Sequence, residues 1–431
     1  MTETVTSWVN PDLAKTPEEL LAERSARMRA AYAMQRPDRV PMSLGLGYLS
    51  AEMGGVSHAE VYRDTALQTR LMVEAAARFG PDECIGPWHD PRPSIALGDR
   101  MTKWPGWSLP DSSSYQFDEH EFMKPEDYPA FLEDSSDWAI RTYLPRAFSE
   151  LEGLALLPPL GMSLFGYYNI LNMPVLTAPP VLHALEAIGK AATAQMTWIG
   201  EQVAQAQALA AVGVPPISWL AALIEAPFDF MSDTLRGMRG IFLDLRQRPD
   251  QLIAAQKKVL KFQVEHAKAT CAALGVPYTF IPLHRGSDGF MSLEQFERFY
   301  WPFLEEMQLA LIDAGITPVV YYEGIWDQRA EYLTRLPKGK TVGMFQNSNM
   351  QHIKDTAGEV MCIVGGMSNS LIRTGPASAI REKTHELCET LGKNGGYVMA
   401  TYVNELEGCD PANVQAWSDA TKEFGVYQAP A

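Results

Sequence analysis

Val319-Val320-Tyr321-Tyr322-Glu323-Gly324 is an apolar run that turns acidic at its end. A short run of β-branched and aromatic residues closed by a glycine reads as a buried strand. Similar strands are expected at Val40–Leu44, Glu83–Pro87, Pro216–Ala222, Tyr278–Leu283, Val342–Phe345, Met361–Gly365 and Tyr397–Thr401. Helical stretches separate them, among them Val181–Ala211, Leu252–Leu274 and a helix from Ser292 to Ala314. Ser57-x-x-Glu60 and Ser292-x-x-Gln295 have capping-box spacing, and Ser57 is expected to start a helix reaching about Phe79. Strands alternating with helices imply parallel βαβ units, and eight of them suit a (β/α)8 TIM-type barrel. Residues 1–38 read as an N-terminal helical arm and 39–431 as the barrel domain. An irregular insertion follows the second strand, with a hairpin or excursion expected over Arg92–Asp118.

Composition narrows the function. With 46% hydrophobic and 20% charged residues, the chain has an ordinary soluble composition. A net charge of −16 disfavours non-specific contact with nucleic acid or anionic membranes. Five scattered cysteines without a C-x-x-C pair favour reduced thiols and a cytoplasmic setting. Met1-Thr2-Glu3-Thr4-Val5 shows no signal-peptide pattern, and no apolar run reaches the 18 residues of a spanning helix. There is no P-loop, G-x-G-x-x-G or nucleophile elbow, which disfavours nucleotide and serine hydrolysis.

In a barrel of this kind, chemistry gathers at the C-terminal strand ends. A buried Glu323 there would need a cation, a donor or water to stay ionised. It reads as a metal ligand, an acid or base, or a substrate anchor; pairing with Arg285 is the competing account. Tyr321 and Tyr322 point in opposite directions, one into the barrel and one toward the helices. His284-Arg285-Gly286-Ser287-Asp288 follows another strand, offering a histidine for ligation or proton transfer and an arginine for a carboxylate or phosphate. Asp288 could instead cap a helix entry. His89 and Asp90 follow the second strand, Asp229 and Asp233 the third, and Tyr402 and Asn404 the eighth.

Several segments, in order, resemble the uroporphyrinogen decarboxylase superfamily. Arg36-Pro37-Asp38-Arg39-Val40-Pro41 looks like the family's entry into its first strand, and Ala226-Pro227-Phe228-Asp229-Phe230-Met231-Ser232 like its G-x-P-F-T segment. Met291-Ser292-Leu293-Glu294-Gln295-Phe296 with Tyr300-Trp301-Pro302-Phe303 is similar to its S-P-x-x-F…P helix start. Gly365-Gly366-Met367-Ser368 stands where the family has G-N-x-D-P, and Asp410-Pro411-Ala412-Asn413 where it has T-P-x-E-N. The resemblance spans about residues 36 to 425 and implies one (β/α) barrel.

It also implies two chemistries. Decarboxylases of the family grip a polycarboxylate with M-R-Q-A-G-R. Here that place reads Met42-Ser43-Leu44-Gly45-Leu46-Gly47, without arginine. The family's substrate tyrosine falls on Asp233 and its late histidine on Asn404. The corrinoid-dependent methyltransferase branch resembles the start better, through Val40-Pro41-Met42, Gly54-Gly55 and Phe79-Gly80-Pro81-Asp82. Its zinc-binding H-x-C and later cysteine fall on Tyr321, Glu323 and Asn404, of which only Glu323 is a ready zinc ligand. The expectation is a methyltransferase or O-demethylase passing a methyl group from a small methylated or methoxylated substrate to a corrinoid on a partner protein, or to tetrahydrofolate. Glu323, His284, Asp233, Tyr321 and Asn404 are the catalytic candidates. Arg285, His89, Asp90, Asp229, Tyr322 and Tyr402 are the substrate-binding candidates. Zinc on Glu323 and His284 and a family-like homodimer complete this reading. The alternatives are a decarboxylase or lyase holding its acid on Arg285 or Arg236, and a non-catalytic binding barrel.

Overall fold

The computed structural model describes residues 8–86, 89–164, 170–217, 221–401 and 406–427. Its strands are β1 (Ser43–Gly45), β2 (Glu83–Ile85), β3 (Thr102–Lys103), β4 (Gln116–Phe117), β5 (Ala222–Leu223), β6 (Tyr278–Leu283), β7 (Thr317–Tyr322), β8 (Val342–Phe345), β9 (Cys362–Met367) and β10 (Tyr397–Thr401). β5 to β10 form one six-stranded parallel sheet in sequence order. β1 and β2 pair in parallel, and β3 with β4 makes an antiparallel hairpin in the insertion. Single parallel bridges join Met42 to Met399 of β10 and Cys84 of β2 to Pro216. Helices follow most of the strands, as βαβ crossovers require. No described helix is long and apolar enough to cross a membrane.

Strand alternation sorts the side chains into two cores. Ile85, Phe280, Val319, Val342, Cys362, Val364 and Val398 share one cluster, against which Tyr321 packs. Ile281, Leu283, Val320, Tyr322 and Ile363 belong to a larger cluster shared with the helices. Tyr321 and Tyr322 therefore face opposite sides of the sheet. Helix α1 (Pro17–Tyr32) adds Met28, Ala31 and Tyr32 to the first cluster. It does so near the N-terminal strand ends, where the Tyr32 hydroxyl reaches Glu83 (3.4 Å) and its ring meets that of Tyr278. Arg27 of this helix pairs with Asp38 (2.6 Å) and with Asp82, which Arg39 grips through both carboxylate oxygens at 2.8 and 2.9 Å.

Two expected elements differ. The helix starting at Ser57 has its full capping box but splits into α2 (His58–Arg63) and α3 (Thr65–Phe79). Asp64 is extended, with φ −131 and ψ 94, and its carboxylate accepts from Leu67 N. An aspartate is a good N-cap, and here it starts a new helix instead of continuing the old one. The third strand, expected over Pro216–Ala222, pairs as β5 only at Ala222 and Leu223, with the lone bridge at Pro216. Proline donates no amide hydrogen, so little of its ladder can form there.

Candidate active site

A cavity of about 990 Å³ opens where the strands of the parallel sheet end, reached by Pro282 of β6 with His284 and Arg285 just after it, Tyr321 of β7 with Glu323 just after it, and Met344 of β8. Its chemical centre is His284. The imidazole Nδ1 donates to Asp233 Oδ2 at 2.5 Å, and Nε2 lies 3.6 Å from Glu323 Oε2. Asp233 comes from a π-helical stretch, Phe230–Arg236, which follows β5. Burial works against the charged imidazole, but the bond to Asp233 and the charges of Asp229, Asp233 and Glu323 outweigh it. The His284 pKa rises to about 9. At neutral pH this histidine is an imidazolium with one N–H aimed toward Glu323.

Asp229 builds the frame behind it. Fully buried, it accepts the backbone N–H groups of His284 and Arg285, each at 3.0 Å, and the Tyr300 hydroxyl at 2.5 Å. Burial and the nearby Asp233 charge raise its pKa, while His284 and these donors oppose the rise. Its role is to hold the β6 end in place; the substrate contact expected of it is not open to a carboxylate so enclosed. Glu225, just beyond β5, has its pKa pushed up to about 7, by burial first and by Asp233 second.

Arg285 donates from Nε to Ser232 Oγ (3.1 Å), and its Nη2 meets Asp233 Oδ1 at 2.7 Å and Glu119. Its charge is thus largely spent within the protein. Glu323 is not the buried glutamate the sequence suggests: its side chain is 43% exposed, on the cavity, and Arg285 does not reach it among the contacts formed. The aromatic side of the cavity comes from Tyr48, His89, Trp104 and Tyr115; Trp104 and Tyr115 stack at 5.6 Å and His89 stands edge-on to Tyr115 at 5.4 Å.

The remaining candidates are placed as follows. Asp90 touches the cavity but is engaged as an N-cap, accepting from Arg92 N (3.0 Å) and pairing with Arg92 Nε (2.7 Å). Tyr322 is fully buried outside the cavity, its ring stacked on Phe345 at 4.6 Å, so it is not a substrate contact. Asp288 is bound to Arg329 and Gln328 N. Arg236 is 1% exposed and held by Asp244, Glu121 and the Met123 carbonyl, so it cannot carry a substrate acid. Tyr402 and Asn404 lie outside the described residues. Glu225, Tyr300 and Glu119 were not anticipated as site residues: Glu225 follows a misplaced strand, Tyr300 stands out only as part of the family's helix start, and Glu119 lies in the aperiodic stretch just past β4.

The donors at the family's zinc positions do not fit that metal. The Tyr321 phenol is raised well above its usual range, by burial and then by Glu323, so it stays protonated. The His284 Nδ1 is committed to Asp233, and its raised pKa keeps Nε2 protonated as well. All five cysteines are buried and none lines the cavity. The imidazole and thiolate of the family's zinc set are thus absent from its described positions here, Tyr321 and Glu323.

A strand-end cavity in an α/β fold, here aromatic on one side and carboxylate-rich on the other, is the setting in which small-molecule sites commonly form. The model of the family "Uroporphyrinogen decarboxylase (URO-D)" matches residues 152–424. The chain belongs to the URO-D family, whose fold is a TIM barrel. Among solved structures it is similar to a methyltransferase from Methanosarcina mazei, at 16% identity and a TM-score of 0.58, covering 93% of this chain and 98% of that one. No curated protein sequence matches it.

Proposed function

We propose that this chain is a methyltransferase of O-demethylase type, with the strands closed into an eight-stranded barrel through the Met42–Met399 and Cys84–Pro216 bridges. Its substrate is a small methoxylated aromatic, and its acceptor is a corrinoid on a separate protein or tetrahydrofolate. The observation that carries this reading is the His284 imidazolium set between Asp233 and Glu323 at an aromatic cavity. When an aryl methyl ether gives up its methyl group, the carbon–oxygen bond electrons stay on oxygen, and the departing phenolate needs a proton. A phenol has a pKa near 10, and His284 stands at about 9. Donor and acceptor are nearly matched, which favours proton transfer in the transition state. The acceptor supplies the nucleophile when bound; this chain orients the ring on Tyr48, Trp104, Tyr115 and Tyr321 and protonates the oxygen from His284 Nε2.

The test supplies purified chain with a panel of [13C-methyl]methoxyarenes and methylamines and either cob(I)alamin or tetrahydrofolate. Labelled methyl on the acceptor with one equivalent of phenol is expected. No transfer across the panel would refute the proposal. The same proton donor would serve a carbanion in a decarboxylase, the second reading. That reading needs a cation for the carboxylate, and Arg285 is already shared between Asp233 and Glu119. CO2 release from carboxylated substrates, lost in Arg285→Ala, would favour it instead.

A further inference from the structure

Glu52, His58 and Glu407 bring one ligand atom each to within 4.8 Å of one another, at a point remote in sequence from the His284 machinery. Glu52 ends a helix after β1, His58 opens α2, and Glu407 follows β10 and lines the cavity together with Tyr48 and Ser114. We infer that these three residues form a divalent-cation site, suited to zinc, in the wall of the cavity.

The histidine is prepared for it. His58 is 2% exposed, and its ring lies on that of Tyr48 with centroids 4.1 Å apart. Its Nδ1 stands 3.1 Å from the Ser113 carbonyl, an acceptor only, so Nδ1 carries the proton. Nε2 is therefore the ring atom turned toward the carboxylates, 3.7 Å from Glu52 Oε1, which is beyond hydrogen-bond reach. Metal-bound histidines commonly have the other ring nitrogen fixed by a carbonyl in this way.

The carboxylates are oriented as well. Glu52 Oε2 accepts from Gly408 N at 2.8 Å and Glu407 Oε2 accepts from Ser114 Oγ at 2.5 Å, leaving one oxygen of each for an ion. Zinc bonds of about 2.0–2.2 Å put tetrahedral ligands roughly 3.4 Å apart. His58 Nε2 and Glu52 Oε1 stand 3.7 Å apart and all three ligand atoms lie within 4.8 Å, so rotation of the partly exposed glutamates closes the gap. One nitrogen and two carboxylate oxygens are the ligand types of open, three-residue zinc sites. The fourth position is left for water or a substrate oxygen.

The experiment is equilibrium dialysis of the full-length chain, stripped with chelator, against Zn2+, with Co2+ as a spectroscopic probe. One equivalent of tight zinc and a tetrahedral Co2+ absorption band are expected. Glu52→Gln with Glu407→Gln, both partly exposed, should fold like the parent by circular dichroism and weaken binding at least as much as the roughly 10- to 100-fold seen when an outer partner is lost. His58→Gln should do the same. His284→Gln should leave the stoichiometry unchanged, which separates this site from the proposed transfer chemistry. No bound ion, or binding with equal affinity in the Glu52/Glu407 double variant, would overturn the inference.

Discussion

At the scale of single residues, the distinctive object is a histidine held charged by carboxylates. The spacing from β6 placed His284 at a strand end, and the resemblance singled out Asp233; that the two touch at 2.5 Å was legible in neither. Their contact depends on the π-helical turn after β5, which leaves no periodic trace. If His284 is the proton donor, His284→Gln lowers kcat by roughly 10²- to 10⁴-fold, the usual range for such a group, with KM little changed; steady-state kinetics on an active methoxyarene checks this. Asp233→Asn is informative about sign. The working form of His284 is protonated, so wild-type activity falls as pH rises through about 9. Without the Asp233 charge and hydrogen bond the folded pKa drops, and the fall begins at lower pH. Superimposable pH–rate profiles would contradict the assignment.

At the scale of elements, the strands and long helices were largely visible in sequence because their periodicity is strong: β6, β8 and β10 match their expected ends. Breaks and turns were not, since Asp64 interrupts a continuous helical pattern by local capping alone. The turn after β6 shows how packing positions chemistry. A Cβ at Gly286 would lie 2.5 Å from both Tyr300 and Trp326. Trp326 in turn donates its indole N–H to the Glu323 carbonyl (2.8 Å), and Tyr300 holds Asp229. Gly286→Ala must therefore move the residues that place His284 and Glu323. Overpacking of this kind costs about 1–3 kcal/mol, so a lower thermal midpoint together with reduced kcat is expected. An unchanged midpoint would show the turn to be looser than described.

At the scale of the molecule, the N-terminal arm read from residues 1–38 has its helix α1 folded across the N-terminal strand ends, opposite the cavity. Its charge and helicity were legible in the sequence but its destination was not, because the pairing of Arg27 with Asp82 spans 55 residues. Burial disfavours an ionised Asp82, yet Arg39 and Arg27 hold its pKa down to about 2. This stabilisation is present above the unfolded aspartate value near 3.9 and is lost as pH falls toward 2. Asp82→Asn leaves Arg27 with Asp38 but deprives the buried Arg39 of its hydrogen-bonded carboxylate, a loss of about 3–5 kcal/mol that denaturant unfolding at neutral pH would register; a change below 1 kcal/mol, on the order of a surface pair, would refute the clasp. The central claim, that His284 hands a proton to a departing phenolate in the strand-end cavity, is tested most directly by leaving-group dependence. Single-turnover demethylation is measured for a series of methoxyarenes whose phenols differ in acidity, in wild type and in His284→Gln. The rate deficit of the variant should grow steadily as the phenol becomes a weaker acid. An equal deficit across the series would mean that His284 does not protonate the leaving oxygen.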